Sequence, residues 1–111
     1  MEKIIFEVQG SAPKPYEVTF IRRSNTNLSA NCTCPAGENG KYCKHRFRII
    51  SGEQIDIISS NADSVKIIQS WLIGTDIETA LYKFIELEKE AERINTELTL
   101  AKKNLAKALR D

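Results

Sequence analysis

All three cysteines and the single histidine of this 111-residue chain fall within residues 32–45. They stand as Cys32-Thr33-Cys34, a gap of eight residues, then Cys43-Lys44-His45. Thiolates and imidazoles are the ligands that zinc prefers, and four of them complete one tetrahedral shell. None is left over elsewhere in the chain. With all four positions committed, no coordination site remains for water, so the metal is expected to be structural, not catalytic.

The spacing can be tested against backbone geometry. Side chains alternate along a strand, so Cys32 and Cys34 are expected on one side of a strand running from Leu28 to Cys34. Pro35 removes a ladder donor and favours leaving the sheet. Gly37 and Gly40 suit a tight return of the loop. Cys43 and His45 are two apart, which a continuous helix would place on opposite sides. Cys43 is therefore expected just before a helix and His45 in its first turn. That helix would run through Phe47, Ile49 and Ile50 and stop at Gly52, a favoured residue just past a helix end.

The segment resembles the SWIM-type zinc finger, whose pattern is Cys-x-Cys, a variable gap, then Cys-x-His. Residues 32–45 carry the match, including Pro35 after the second cysteine and Lys44 between the last two ligands. The resemblance implies a strand–strand–helix zinc module, with residues 16–58 as its wider extent. It also implies a DNA- or protein-interaction role, as in chromatin-remodelling ATPases, Mutator-type transposases, bacterial proteins and some signalling kinases. Residue by residue it carries over the metal ligands Cys32, Cys34, Cys43 and His45, and no nucleic-acid contacts. No ATPase, transposase or kinase motif accompanies them.

Other uses of the cluster explain less. A redox Cys-x-Cys pair leaves Cys43 and His45 without a role. A Cys–His nucleophilic dyad lacks an orienting third group. The zinc deaminases need His-x-Glu and Pro-Cys-x-x-Cys, and neither occurs. Buried, unliganded cysteines are the plain structural alternative.

Net charge is +1, but it is unevenly spread. Arg22, Arg23, Lys41, Lys44, Arg46 and Arg48 face one acid, Glu38, over residues 22–48. Two explanations compete. Three thiolates and Zn²⁺ carry one negative charge, so nearby cations serve local electrostatics. A positive patch could equally hold phosphates, which makes those six residues candidate nucleic-acid contacts. Tyr42 could stack on a base, although a lone tyrosine usually packs.

Upstream, Lys3–Val8 and Tyr16–Arg22 read as strands, the second with Tyr16, Val18 and Phe20 alternating against Glu17 and Thr19. Ser24-Asn25-Thr26-Asn27 is turn chemistry. Gln54–Ile58 is expected to add a short last strand. A core this small needs help, and structural zinc can supply on the order of 10 kcal/mol.

After Asn61 the pattern becomes helical. A helix is expected from about Asp63 to Ile73, carrying Val65, Ile68, Trp71 and Leu72, and broken by Gly74. Thr75-Asp76-Ile77-Glu78 has the form of a capping box and starts a new helix. No proline or glycine follows, so that helix could reach about 35 residues, roughly 50 Å. Ile77, Phe84, Ala91, Leu98 and Leu105 recur every seven residues. Ala80, Leu87, Ile94, Ala101 and Ala108 follow each by three, which is a coiled-coil seam. A parallel pair would set Lys83 against Glu88 and Glu97 against Lys102. The alternative is a stripe that folds back as ordinary core.

The sequence thus predicts an α+β chain: a small antiparallel sheet with a zinc-stabilised ββα finger in residues 1–60, then a helical coiled-coil region in 61–111. The function it supports is a non-catalytic, Zn²⁺-binding interaction module for DNA or a protein, with a homodimer through residues 76–110. The alternative is an accessory subunit docking its long helix on a separately encoded enzyme; an enzyme using the metal lacks any nearby acid pair or nucleophile. The amino terminus lacks the apolar stretch of a secretory signal, and no apolar run suggests a membrane partner. An odd number of thiols fits a reducing compartment, cytoplasmic or nuclear.

Overall fold

The computed structural model describes residues 1–110. The chain divides into two compact units, Met1–Glu78 and a second beginning at Thr79. The first is built on a three-stranded antiparallel sheet of β1 (Glu2–Val8), β2 (Tyr16–Ser24) and β3 (Asn27–Cys32), in that order. Register follows from alternation. Phe6 sits opposite Val18, Phe20 opposite Ala30, and Val18 opposite Cys32. Phe6, Val8, Val18, Phe20, Leu28 and Cys32 are buried together, while the neighbours between them face outward, as the two-residue period demands. The Phe6 and Phe20 rings meet edge to face at 6.1 Å, an arrangement aromatic quadrupoles favour.

Two short helices follow β3, α1 (Pro35–Glu38) and α2 (Lys44–Ile50). A 3₁₀ turn, Ala62–Ser64, leads into α3 (Val65–Leu72). Ile49 and Ile50 of α2 and Val65, Ile68, Trp71 and Leu72 of α3 complete the buried core. Their spacing on α3, three or four residues apart, is one face of a helix. The end of α2 shows why Gly52 stands where it does. The Gly52 N–H donates to Ile49 O and the Glu53 N–H to Arg48 O, with Gly52 at φ +90°. That paired closure requires a left-handed residue, which glycine adopts without penalty.

Two expectations need correction. Residues 54–58 do not form a strand: they make one isolated bridge, Val8 to Ile57. Asp56 takes φ +64°, a conformation incompatible with a continuing ladder. The segment still lines the open side of β1, with Gln9 N–H donating to Asp56 O and Ile58 N–H to Glu7 O. Ser59 Oγ accepts from Glu7 N–H, and Asn61 Nδ2 donates to Ile5 O. Likewise the helix expected from Asp63 begins as a 3₁₀ turn and becomes α-helical only at Val65.

Gly74, at φ +83°, ends the α3 region. Thr75 then does two jobs. Its hydroxyl donates to Leu72 O at 2.6 Å and accepts from the Glu78 N–H at 3.3 Å. Glu78 reaches back to the Gly74 N–H, one residue before the position an ideal capping box would use.

The long helix α4 spans Asp76–Arg110, 35 residues, with Asp76 and Glu78 in its first turn and Lys107 and Arg110 in its last. Those charges oppose the partial charges of the helix ends. Thr96 and Thr99 donate to the carbonyls of Glu92 and Asn95, which accommodates β-branched polar residues inside a helix. Every residue from Glu86 to Arg110 is exposed. That stretch includes Leu87, Ile94, Leu98 and Leu105, each about half exposed or more.

Candidate metal centre

Cys32, at the end of β3, is placed by the sheet register. Cys34 is not a strand residue, contrary to the reading that put both on one strand. It is the cap of α1: its sulfur accepts from the Gly37 N–H at 3.2 Å, and Pro35 occupies the first helical position. Proline suits that position because the N–H it lacks would have had no partner. Cys43 caps α2, and His45 lies in that helix's first turn. All four are buried, and their ligand atoms lie within 4.8 Å of one another.

The distances can be compared with a tetrahedral shell. Zn–S near 2.3 Å and Zn–N near 2.0 Å imply S···S edges of about 3.8 Å and S···N edges of about 3.5 Å. His45 Nδ1 lies 3.7 Å from Cys32 Sγ and 3.6 Å from Cys43 Sγ, and the Cys34 and Cys43 sulfurs are 3.4 Å apart. Two of the three imidazole edges fit, and this sulfur pair is within a few tenths. Backbone N–H groups of Cys34 and Gly37 point at the sulfurs of Cys32 and Cys34, an outer shell that orients thiolates and offsets their charge.

Burial pushes the Cys32 thiol up to about 12. At Cys43 burial also opposes ionisation, yet hydrogen bonds from the Arg46 backbone, from its neighbouring thiols and from the His45 backbone outweigh it and bring the thiol below its ordinary value. His45 is lowered, first by burial and then by the charges of Lys44 and Arg48. A neutral imidazole is the form that binds metal.

Three supporting residues escaped the sequence reading. The Tyr16 ring lies 5.2 Å from that of His45 and fixes its outer side. Gly37 suits a turn, but its role is proximity: a β-carbon there would stand 2.5 Å from Cys32 O and 2.8 Å from Cys32 Cβ. Arg46 is the third. Its guanidinium donates to Ala30 O at 3.1 Å and Lys41 O at 2.6 Å, tying the loop before Cys43 to β3. No spacing rule flags a bond of that kind.

The basic candidates divide accordingly. Arg22 pairs with Glu2 and Asn25, Arg23 donates to Ser29, and Arg48 pairs with Asp56. With Arg46 committed, the side chains of Lys41 and Lys44 are the two of the six that make neither an ion pair nor a hydrogen bond among the described residues. Between them Tyr42 stacks on Phe47 at 4.3 Å while staying 57% exposed. Its ring therefore has a packing role and an accessible side.

Three cysteines and a histidine converging in a buried tetrahedron define a Cys₃His zinc-finger site. Residues 6–48 match the family model for the SWIM zinc finger. This segment is a SWIM-type finger with its ligands positioned to bind zinc. No curated protein and no solved structure matches the chain. Among the described residues, no helix is long and apolar enough to cross a membrane.

Proposed function

We propose that the protein is a non-catalytic interaction module: zinc holds its amino-terminal half in shape, and α4 brings two copies together. The observation that carries this reading is the buried four-ligand set, which accounts for a full tetrahedral shell and leaves no position for a substrate. Thiols committed to metal suit a reducing compartment, and we assign the protein to the cytoplasm.

The face around Lys41, Tyr42 and Lys44 is the surface offered to a partner, nucleic acid or protein. Generic duplex DNA distinguishes the two. Contact through the two unengaged lysines gives a log–log salt slope of about 2, and recruitment of all six cations gives about 5. Absent or salt-insensitive binding transfers the face to a protein partner. The catalytic alternative is tested on cobalt-substituted protein. A saturated four-coordinate spectrum, unchanged by added anions, is expected. An exchangeable water ligand would overturn the non-catalytic assignment.

A further inference from the structure

The apolar stripe of α4, half-buried at Ile77 and Phe84 and exposed from Leu87 onward, leaves open which way a second copy runs along it. We infer that two copies pair antiparallel, centred between Glu92 and Arg93, so that Ala91 of each meets the partner's Ile94. This rests on the self-association proposed above and adds the orientation of the partner.

Three observations converge on it. The helix runs from Asp76 to Arg110, and a centre at 92/93 overlays two such helices over nearly their whole length. Charge is polarised along it: residues 76–94 hold six acids and three bases, net minus three, while 95–110 hold one acid and four bases, net plus three. Antiparallel pairing lays each acidic half on a basic half; parallel pairing lays like on like. Packed helices are about 8–10 Å apart, close to one screening length at physiological salt, so this polarity is felt.

The third observation is volume. In a parallel pair each seam residue meets its own copy, so Ala80, Ala91, Ala101 and Ala108 form four thin layers between Phe84, Leu87, Ile94, Leu98 and Leu105. Antiparallel pairing sets large against small. Ala91 meets the partner's Ile94 and Leu87 the partner's Leu98, all exposed in the single chain; Ala80 meets the partner's Leu105, and Ala101 falls opposite the partner's half-buried Phe84. Every alanine then faces a larger side chain, and one interaxial distance serves all layers.

One effect opposes this. Lys83–Glu88 and Glu97–Lys102 would attract in a parallel pair, whereas the antiparallel register brings Glu90 beside the partner's Glu97. Exposed pairs of this kind change an association constant only about twofold each. An unfilled core layer costs about tenfold or more. Packing decides. The two starts of α4 then lie about 50 Å apart, at opposite ends of the pair.

That same contact supplies the test. Sedimentation equilibrium on the full, zinc-loaded chain is compared with Glu97→Lys. Antiparallel pairing turns two Glu–Glu contacts into attractions and tightens the dimer about tenfold. Parallel pairing turns two attractions into repulsions and loosens it about as much. The Arg93–Glu97 pair within the helix is lost either way. Ala91→Leu gives the converse reading: it crowds the partner's Ile94 and weakens an antiparallel dimer, but fills a thin layer of a parallel one. A dimer loosened by Glu97→Lys and tightened by Ala91→Leu overturns the orientation and leaves self-association standing. A wild-type chain still monomeric at about 1 mM overturns self-association itself.

Discussion

Gly37→Ala isolates how closely the metal-binding loop is fitted. The new methyl would stand 2.5 Å from the carbonyl oxygen of Cys32, so either α1 or the end of β3 must move. Overpacking of this kind costs about 1–3 kcal/mol. Alanine's better helical propensity returns about 0.5–1 kcal/mol within α1. The net is roughly 1–2 kcal/mol, and because the obstructed residue is itself a ligand, the loss is expected in metal affinity, some 5- to 30-fold. Gly40→Ala is the matched control. It has nothing within 4 Å of its added carbon but sits at φ +67°, so it bears about 1 kcal/mol of backbone strain without touching a ligand. Competition against a chromophoric chelator measures both. If Gly37→Ala holds zinc as tightly as the wild type, or Gly40→Ala weakens it more, the close approach has been misread.

Chelation is expected to abolish cooperative melting of the amino-terminal half while leaving most helical circular dichroism, since α4 contributes 35 residues; a chelated protein with an unchanged protease ladder would contradict this. Arg46→Ala should lower stability by about 1–3 kcal/mol through loss of its bonds to Ala30 and Lys41, against under 1 kcal/mol for Arg48→Ala at a surface ion pair, as measured by thermal denaturation. Zinc affinity should climb as pH rises from 7 toward 9, because the metal must displace a proton from Cys32, whose value is raised to about 12. His45, already lowered, adds proton competition only below its ordinary value near 6.5. Calorimetry in buffers of different ionisation enthalpy detects the proton released at pH 7, and its absence would refute the assignment.

The ligands were legible because four metal-binding residues in a chain with no others leave little choice of partner. Alternation at Tyr16, Val18 and Phe20, the glycine after α2 and the Thr75 cap were legible because each rule is local. Cys34 was misplaced because strand alternation and helix capping both put a sulfur near the metal, and spacing alone does not separate them. Asp56 looked compatible with a strand because its left-handed backbone leaves no mark in composition. Arg46 was counted among the phosphate-binding candidates because its real partners, the carbonyls of Ala30 and Lys41, lie far apart from each other in sequence.

The segment laced along β1 has an effect on assembly. It takes up backbone groups of Ile5, Glu7 and Gln9 that would otherwise be open to a foreign strand, while Arg46 covers the Ala30 carbonyl on the far rim. A small sheet with bare rims invites edge-to-edge polymerisation. Here that route is obstructed on both flanks, so crowding many copies together should not seed fibrils through the zinc-bearing half.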